Sequence, residues 1–292
     1  MLEHGVPWRL SPLVRRLVAP NPGAMTGPGT NTYLLGEESV VVLDPGPAID
    51  AHVDAILKAG AGRITHIVCT HTHPDHSPAW KAVAEATGAT VIGALPEGDD
   101  HQDETFAPDI QLSHEYCLST AELNLRAIHT PGHVSNHYCF LLEEEGMLFA
   151  GDHIMNGSTV VIIPPGGDMQ AYIASLKLLL DYPINCVAPG HGEVIDDSRR
   201  EVEHLVAHRL GREAKVVAGL EKLGPCDMDT LVAEVYDDVD PALHPWAKLS
   251  MHAHLIKLER ERVASLDRGD DPNNGKGDHG HGHDHEARWR LC

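Results

Sequence analysis

The segment from 66 to 76, HIVCTHTHPDH, constrains this chain more than any other. Ile67, Val68 and Cys69 form an apolar run that stops at Thr70, and Pro74 turns the backbone soon after. Such a run reads as a buried strand ending at the C-terminal edge of a sheet, where side chains converge on a crevice. His71 and His73 lie two apart, so an extended backbone puts both imidazoles on one face, where they can grip one metal ion. Asp75 and His76 follow the proline into the loop and offer a second pair of donors. A plain solvated loop would not require a buried strand leading straight into four ionisable residues.

The same arrangement recurs three times. A strand predicted over Leu123 to Ile128 leads to His129-Thr130-Pro131-Gly132-His133, and a hairpin of Tyr138 to Leu142 with Met147 to Ala150 ends in Gly151-Asp152-His153. A last strand, Cys186 to Ala188, ends in Pro189-Gly190-His191-Gly192. Sorting the donors assigns His71, His73 and His133 to one ion, Asp75, His76 and His191 to another, and Asp152 to both as a shared carboxylate. Imidazole and carboxylate without thiolate suit Zn²⁺ first, with Mn²⁺ or Fe²⁺ as alternatives. Two ions about 3.5 to 4 Å apart can share a water whose pKa falls toward ~7, giving a bridging hydroxide without a side-chain base. Asp75 and Asp152 must be anionic for this, and they are the expected catalytic residues. His137 and His153 read as packing neighbours of the ligands, and His252 and His254 as part of a solvated or interdomain helix face. Asp44, before Pro45-Gly46, points to the same edge, either as an acceptor orienting a histidine or as a turn residue.

Local patterns place the other elements. Gly, Pro and Asn in 21–36 give a loop entering a strand at Thr32 to Leu35, paired in a hairpin with Val40 to Leu43. Helices are predicted from Asp50 to Gly60, from a Ser77-Pro78 start to Gly88, and after an Asp168 cap. A polar, acidic loop from Pro96 to Asp109 is long enough to border a pocket. A Ser198-Arg199-Arg200-Glu201 capping box opens a long helix toward Leu223, which Gly224-Pro225 stops. Beyond Pro225 lie a short helix near Thr230 to Tyr236, a Pro-initiated helix from Asp240-Pro241 to about Arg260, and strands at Val263 to Leu266 and Arg288 to Leu291. Helices followed by a β-ribbon make a winged-helix shape.

Taken together, T-H-x-H-x-D-H at 70–76, the later P-G-H and G-D, and G-H-G at 190–192 resemble the metallo-β-lactamase superfamily. That resemblance implies an α/β fold, an αββα sandwich with its site at one edge of two facing sheets. GTNTYLLG at 29–36, the LLEEE hairpin and the C-terminal region resemble the β-lactamase-like protein 2 type over nearly the whole chain, which implies a small winged-helix domain after the hydrolase domain. The expected division is 1–210 for the hydrolase and 211–292 for the winged helix, with an insertion in its wing at about 269–287. Some members of that group are endoribonucleases on single-stranded RNA, while other relatives act on thioesters. In the insertion, His279, His281, His283 and His285 alternate with Gly and Asp, a composition that cannot pack a core. They read as a solvated loop, with a segment that holds metal loosely as the alternative.

Charge and composition narrow the partners. The net charge is −21, and positions 1–196 carry 8 Lys and Arg against 24 Asp and Glu, a net −16. Such a surface repels phosphate backbones at long range. Residues 241–262 mix Lys248, Lys257, Arg260 and Arg262 with Glu259 and Glu261, so no basic recognition helix for DNA is expected. The six cysteines are scattered without a C-x-x-C pair and read as reduced. Charges and prolines among residues 3–16 interrupt any signal-like apolar stretch, and no run reaches the ~18 residues of a membrane span. A cytoplasmic enzyme hydrolysing a small ester, thioester or related acyl substrate is expected, with RNA cleavage and a non-enzymatic metal-binding role as the alternatives.

Overall fold

Tyr33, Leu35, Val41, Leu43 and Val68 face one way, while Leu34, Val40, Val42 and Ile67 face the other, so their strands are apolar on both sides. That pattern requires a sheet covered on both faces. The computed structural model describes residues 2–95, 101–267 and 287–292. It divides into two units, the first running to Val160 and taking in Pro165–Val206, the second comprising Val161–Pro164 and Ala207–Cys292.

In the first unit, β1 (Trp8–Arg9), β2 (Val14–Val18), β3 (Asn31–Leu35), β4 (Val40–Leu43), β5 (Ile64–Val68), β6 (Thr90–Gly93) and β7 (Ile110–Gln111) form a sheet in sequence order. The antiparallel pairing gives way to parallel pairing from β4 onward. A second sheet, ordered β12-β11-β10-β9-β8, is made by β8 (Cys117–Ser119), β9 (Asn124–His129), β10 (Tyr138–Leu142), β11 (Met147–Gly151) and β12 (Cys186–Pro189). The two sheets share a core in which Tyr33, Leu43 and Val68 of one meet Phe140, Phe149 and Ala188 of the other. On the outer face of the larger sheet, Ile56 of α1 (Asp50–Gly60) and Val83 of α2 (Trp80–Thr87) pack with Val42 and Ile67. Leu148 and Val187 of the smaller sheet adjoin Leu179 of α3 (Met169–Leu179) and Val202 of α4 (Ser198–Leu223). This is the expected αββα sandwich.

Parallel neighbours end on the same side. The C-termini of β4 and β5 therefore share one edge of the larger sheet, and those of β11 and β12 share one edge of the smaller.

The second unit contains α5 (Met228–Val235), a 3₁₀ turn at Pro241–Leu243, α6 (His244–Arg260) and an antiparallel ribbon of β13 (Ala264–Asp267) and β14 (Arg288–Leu291). Its core gathers Leu220, Leu231, Met251, Leu255 and Trp289. Helices and ribbon follow the expected order. The His279 to His285 segment and positions 96–100 of the expected acidic loop lie outside the described residues.

Several local expectations need correction. Helix α2 begins at Trp80, not at Ser77-Pro78, because the Ser77 hydroxyl donates to Asp103 Oδ2 at 3.0 Å instead of capping. Asp197 rather than Ser198 caps α4, accepting from the Arg200 amide at 3.1 Å, while Ser198 donates to the Ile184 carbonyl at 2.7 Å. Helix α1, by contrast, spans the expected Asp50–Gly60, with Ala61 capping it in the left-handed region. His254 is not on a solvated face: it is fully buried, with Nδ1 3.2 Å from Glu213 Oε2. No helix among the described residues is long and apolar enough to cross a membrane.

Phe149 is fully buried between the sheets, its ring 4.9 Å from that of Tyr33. Phe149→Ala is expected to destabilise the first unit by about 3–5 kcal/mol, read from urea unfolding of the purified chain.

Candidate metal centre

Every residue expected at the site lies just past the end of one of these strands. Asp44 follows β4, residues 69–76 follow β5, His133 follows β9, Asp152 follows β11 and His191 follows β12. The structure brings all seven expected ligands into two groups. Donor atoms of His71, His73, His133 and Asp152 lie within 4.8 Å of one another, as do those of Asp75, His76 and His191. Asp152 also reaches the second group: Oδ1 is 3.2 Å from His76 Nε2 and 3.3 Å from His191 Nε2, while Oδ2 is 3.7 Å from His133 Nε2. His137 and His153 belong to neither group. Both are fully buried beside it, the His137 ring 5.1 Å from His71 and the His153 ring 5.7 Å from His137.

Hydrogen bonds fix which nitrogen of each ring faces inward. The Asp44 carboxylate is buried and accepts from the Thr70 amide at 2.7 Å, the Thr70 hydroxyl at 2.8 Å and His76 Nδ1 at 2.9 Å. Since Thr70 gives its proton to Asp44, its oxygen accepts from His71 Nδ1, 3.0 Å away. The Gly29 carbonyl likewise takes the Nδ1 proton of His191 at 3.3 Å. His71, His76 and His191 therefore all present Nε2 to the site. One carboxylate orients a histidine in each group, so Asp44 is an acceptor rather than a mere turn residue.

The motif glycines are explained by space. A Cβ at Gly132, whose φ is +147°, would lie 2.4 Å from the Tyr172 backbone. One at Gly190 would lie 2.7 Å from Asp152 Oδ1 and from the His76 ring. Neither loop could otherwise bring its histidine so close.

The residues present fit divalent cations. His73 Nδ1 is 3.0 Å from His71 Nε2 and 3.1 Å from His133 Nε2. That is near the spacing of about 3.3 Å expected of nitrogens each ~2.0–2.1 Å from one ion. His76 Nε2 and Asp152 Oδ1 are both buried and make no well-formed hydrogen bond, although they face each other. Burial pushes His71 well below the ordinary imidazole range, and it takes His73 to about 4 with help from His133. At the other group burial also lowers His76 and His191, but Asp75, Asp152 and Asp44 outweigh it for His76, which ends well above the usual range. His191 is pushed up to about 9, chiefly by Asp152. Burial raises Asp75, but His76 and His191 bring it down to about 2. His71 and His73 thus offer neutral lone pairs, and His76 and His191 hold protons where a cation is wanted.

Four buried polar residues, Thr30, Asn31, Thr72 and Asn136, adjoin the site without being among its expected ligands. Thr30 Oγ1 donates to Asp75 Oδ2 at 3.1 Å, and Asn31 Nδ2 donates to the carbonyls of Pro189 and Gly192, each at 2.9 Å. Asn136 Nδ2 donates to Thr72 Oγ1 at 2.8 Å. The signal available for the first two was GTNTY, a polar pair entering a fully buried strand.

Residues 25–191 match the family model of the metallo-beta-lactamase superfamily, and 228–270 match that of the beta-lactamase associated winged helix domain. A beta-lactamase-like protein 2 homolog of Drosophila melanogaster is 33% identical over 277 residues, covering 87% of this chain and 90% of its own. The thioesterase pkgB of Emericella nidulans is 33% identical over 215 residues, 72% of this chain and 59% of its own. Among solved structures, a metallo-beta-lactamase family protein from Thermus thermophilus has a TM-score of 0.74 at 24% identity, covering 97% of this chain and 100% of the other. That likeness is one of fold.

Metal-stripped protein is expected to take up two equivalents of a divalent transition ion, with Asp152→Ala retaining at most one tightly. Uptake should release protons, because His76 and His191 must lose theirs to donate. Affinity at the Asp75 group should therefore rise with pH up to about 9, the value to which His191 is pushed, and fall in acid. Metal analysis and titration in weak buffer, on a variant lacking 275–287, check both; a variant that holds no ion tightly defeats the assignment.

Proposed function

Because the chain belongs to the metallo-beta-lactamase superfamily, as a hydrolase with the associated winged helix domain, we propose that it hydrolyses a small ester, thioester or related acyl substrate at a two-metal site. The observation that carries this reading is Asp152, whose two oxygens face the two donor groups. His71, His73 and His133 would hold one ion and Asp75, His76 and His191 the other, with Zn²⁺ favoured and Mn²⁺ or Fe²⁺ as alternatives. When bound, two such ions lower the pKa of a water and polarise the bond under attack. We assign residues 1–210 to the hydrolase domain and 211–292 to the winged helix.

The protein's own residues supply orientation and charge. Asp44 and Thr70 keep the Nδ1 protons of His76 and His71, leaving Nε2 free to donate inward. Asp75 and Asp152 stay anionic at neutral pH, since burial raises both but the neighbouring imidazoles, His76 first for Asp75 and His191 first for Asp152, hold them low. His71, His76 and His191 are buried, whereas His73, Asp75 and His133 are half-buried and mark the side from which a substrate enters.

An acyl substrate is supported by the thioesterase relative and by the net −16 of positions 1–196, which disfavours a polyanion. Single-strand RNA cleavage is the second reading, favoured by the likeness to the β-lactamase-like protein 2 group. Against it, two cations of α6 that nucleic acid would need are already paired, Lys248 with Asp229 and Lys257 with Glu213.

One metal-loaded preparation assayed against a thioester panel, single-stranded RNA and a chromogenic β-lactam separates these readings. Thioester or ester turnover should exceed the others, fall by about 100-fold or more in Asp75→Ala, and vary little with salt. RNA cleavage abolished in Asp75→Ala, with thioesters untouched, would reverse the order.

A further inference from the structure

Each donor group has a buried threonine of its own, and the two threonines do not touch the same residues. Thr30 is fully buried and donates to Asp75 Oδ2. It is itself fixed by Asn21, which donates Nδ2–H to its hydroxyl and accepts from its amide, both at 2.9 Å. The flanking backbone holds the same group: Gly29 O faces His191 Nδ1, Thr30 and His191 form an isolated backbone bridge, and the Asn31 amide donates to Gly190 O at 2.8 Å. Thr72, also fully buried, stands between His71 and His73. Its hydroxyl donates to Gln102 Oε1 and accepts from Asn136, three residues after His133, which also donates to Ala94 O at 3.0 Å.

We propose that Thr30 and Thr72 are positioning residues that set the affinities of the two metal sites independently, Thr30 for the Asp75–His76–His191 site and Thr72 for the His71–His73–His133 site. The proposal rests on the two-ion reading above. Asp75 is 26% exposed along its side chain, and a partly exposed carboxylate rotates unless an oxygen is held; Thr30 holds one. The backbone between His71 and His73 is the only covalent link that sets their spacing, and Thr72 ties it to the loop that carries His133. Loss of such an outer hydrogen bond typically costs 10–100-fold in metal affinity. The shared elements, Asp44 and Asp152, couple the sites; the threonines do not.

The test uses the 292-residue chain, with Thr30→Val, Thr72→Val, the double variant, and Thr30→Ser and Thr72→Ser, titrated with Zn²⁺ against a chromophoric chelator. The 275–287 segment is present in every variant, so its contribution cancels in the comparison of binding steps, while the number of ions is counted on protein lacking it. His191→Ala and His73→Ala assign each binding step to its group. Thr30→Val should weaken the step lost in His191→Ala by about 10–100-fold and leave the other within about twofold. Thr72→Val should do the reverse, the double variant should show both losses, and each serine should restore wild-type affinity. Thermal unfolding of the metal-free proteins separates positioning from general loosening. A valine variant that weakens both steps equally, or neither, overturns the proposal. Wild-type protein that binds fewer than two ions tightly would instead overturn the two-ion reading on which it stands.

Discussion

The buried carboxylate of Asp44 is the interaction on which the centre depends. Its φ of 50° lies in the left-handed region, which a side chain other than glycine enters at a cost of about 1–3 kcal/mol. Asp bears that cost better than most residues, because its short polar side chain bonds locally. Here it accepts three hydrogen bonds, while its amide donates to Val68 O at 2.8 Å. The bend after β4 thus turns the carboxylate across the end of β5. From that place a single anion sets the tautomer of His76 directly and of His71 through Thr70.

The sandwich makes this convergence possible in a physical sense. Two carboxylates and five imidazoles in one crevice repel or strip one another of water unless a cation or proton lies between them. The apolar core between the sheets, with Phe140, Phe149, Leu43 and Val68 buried, carries the stability that such a cluster does not supply. A bound ion then adds stability by mass action, since it binds the folded arrangement and not the dispersed ligands of the unfolded chain.

The strand-end ligands were legible because two signals coincided: an apolar run gives the strand, and a turn carrying His or Asp gives its functional edge. Three other features were not legible, for different reasons. Serine caps failed at Ser77 and Ser198 because the rule assumes that the hydroxyl has no better acceptor, whereas Asp103 and Ile184 O were in reach through the tertiary fold. Strand β2 was missed because Arg15 and Arg16 break the apolar pattern of VRRLV. Arg16 is nonetheless buried, paired with Glu193 at 2.9 Å and donating to Gly192 O at 3.3 Å, partners from the far end of the same unit's sequence. Thr72 and Asn136 left no trace of their role, since a polar residue beside a turn reads as loop until its partners are known.

The arrangement of charge also bears on what can enter. Of the eight basic residues in positions 1–196, Arg9 is paired with Glu37, Arg16 with Glu193, and Arg126 with both Glu115 and Glu143. Arg15 donates to the carbonyls of Ala59 and Gly36. These cations are already engaged with partners in the protein, and a polyanion would have to exchange those contacts for its own phosphates. A neutral or singly charged acyl compound needs no such exchange. On the proposed acyl chemistry, its reacting carbon would have only to reach the half-buried side formed by His73, Asp75 and His133, where the strong attraction would be the positive charge that these ligands are placed to hold.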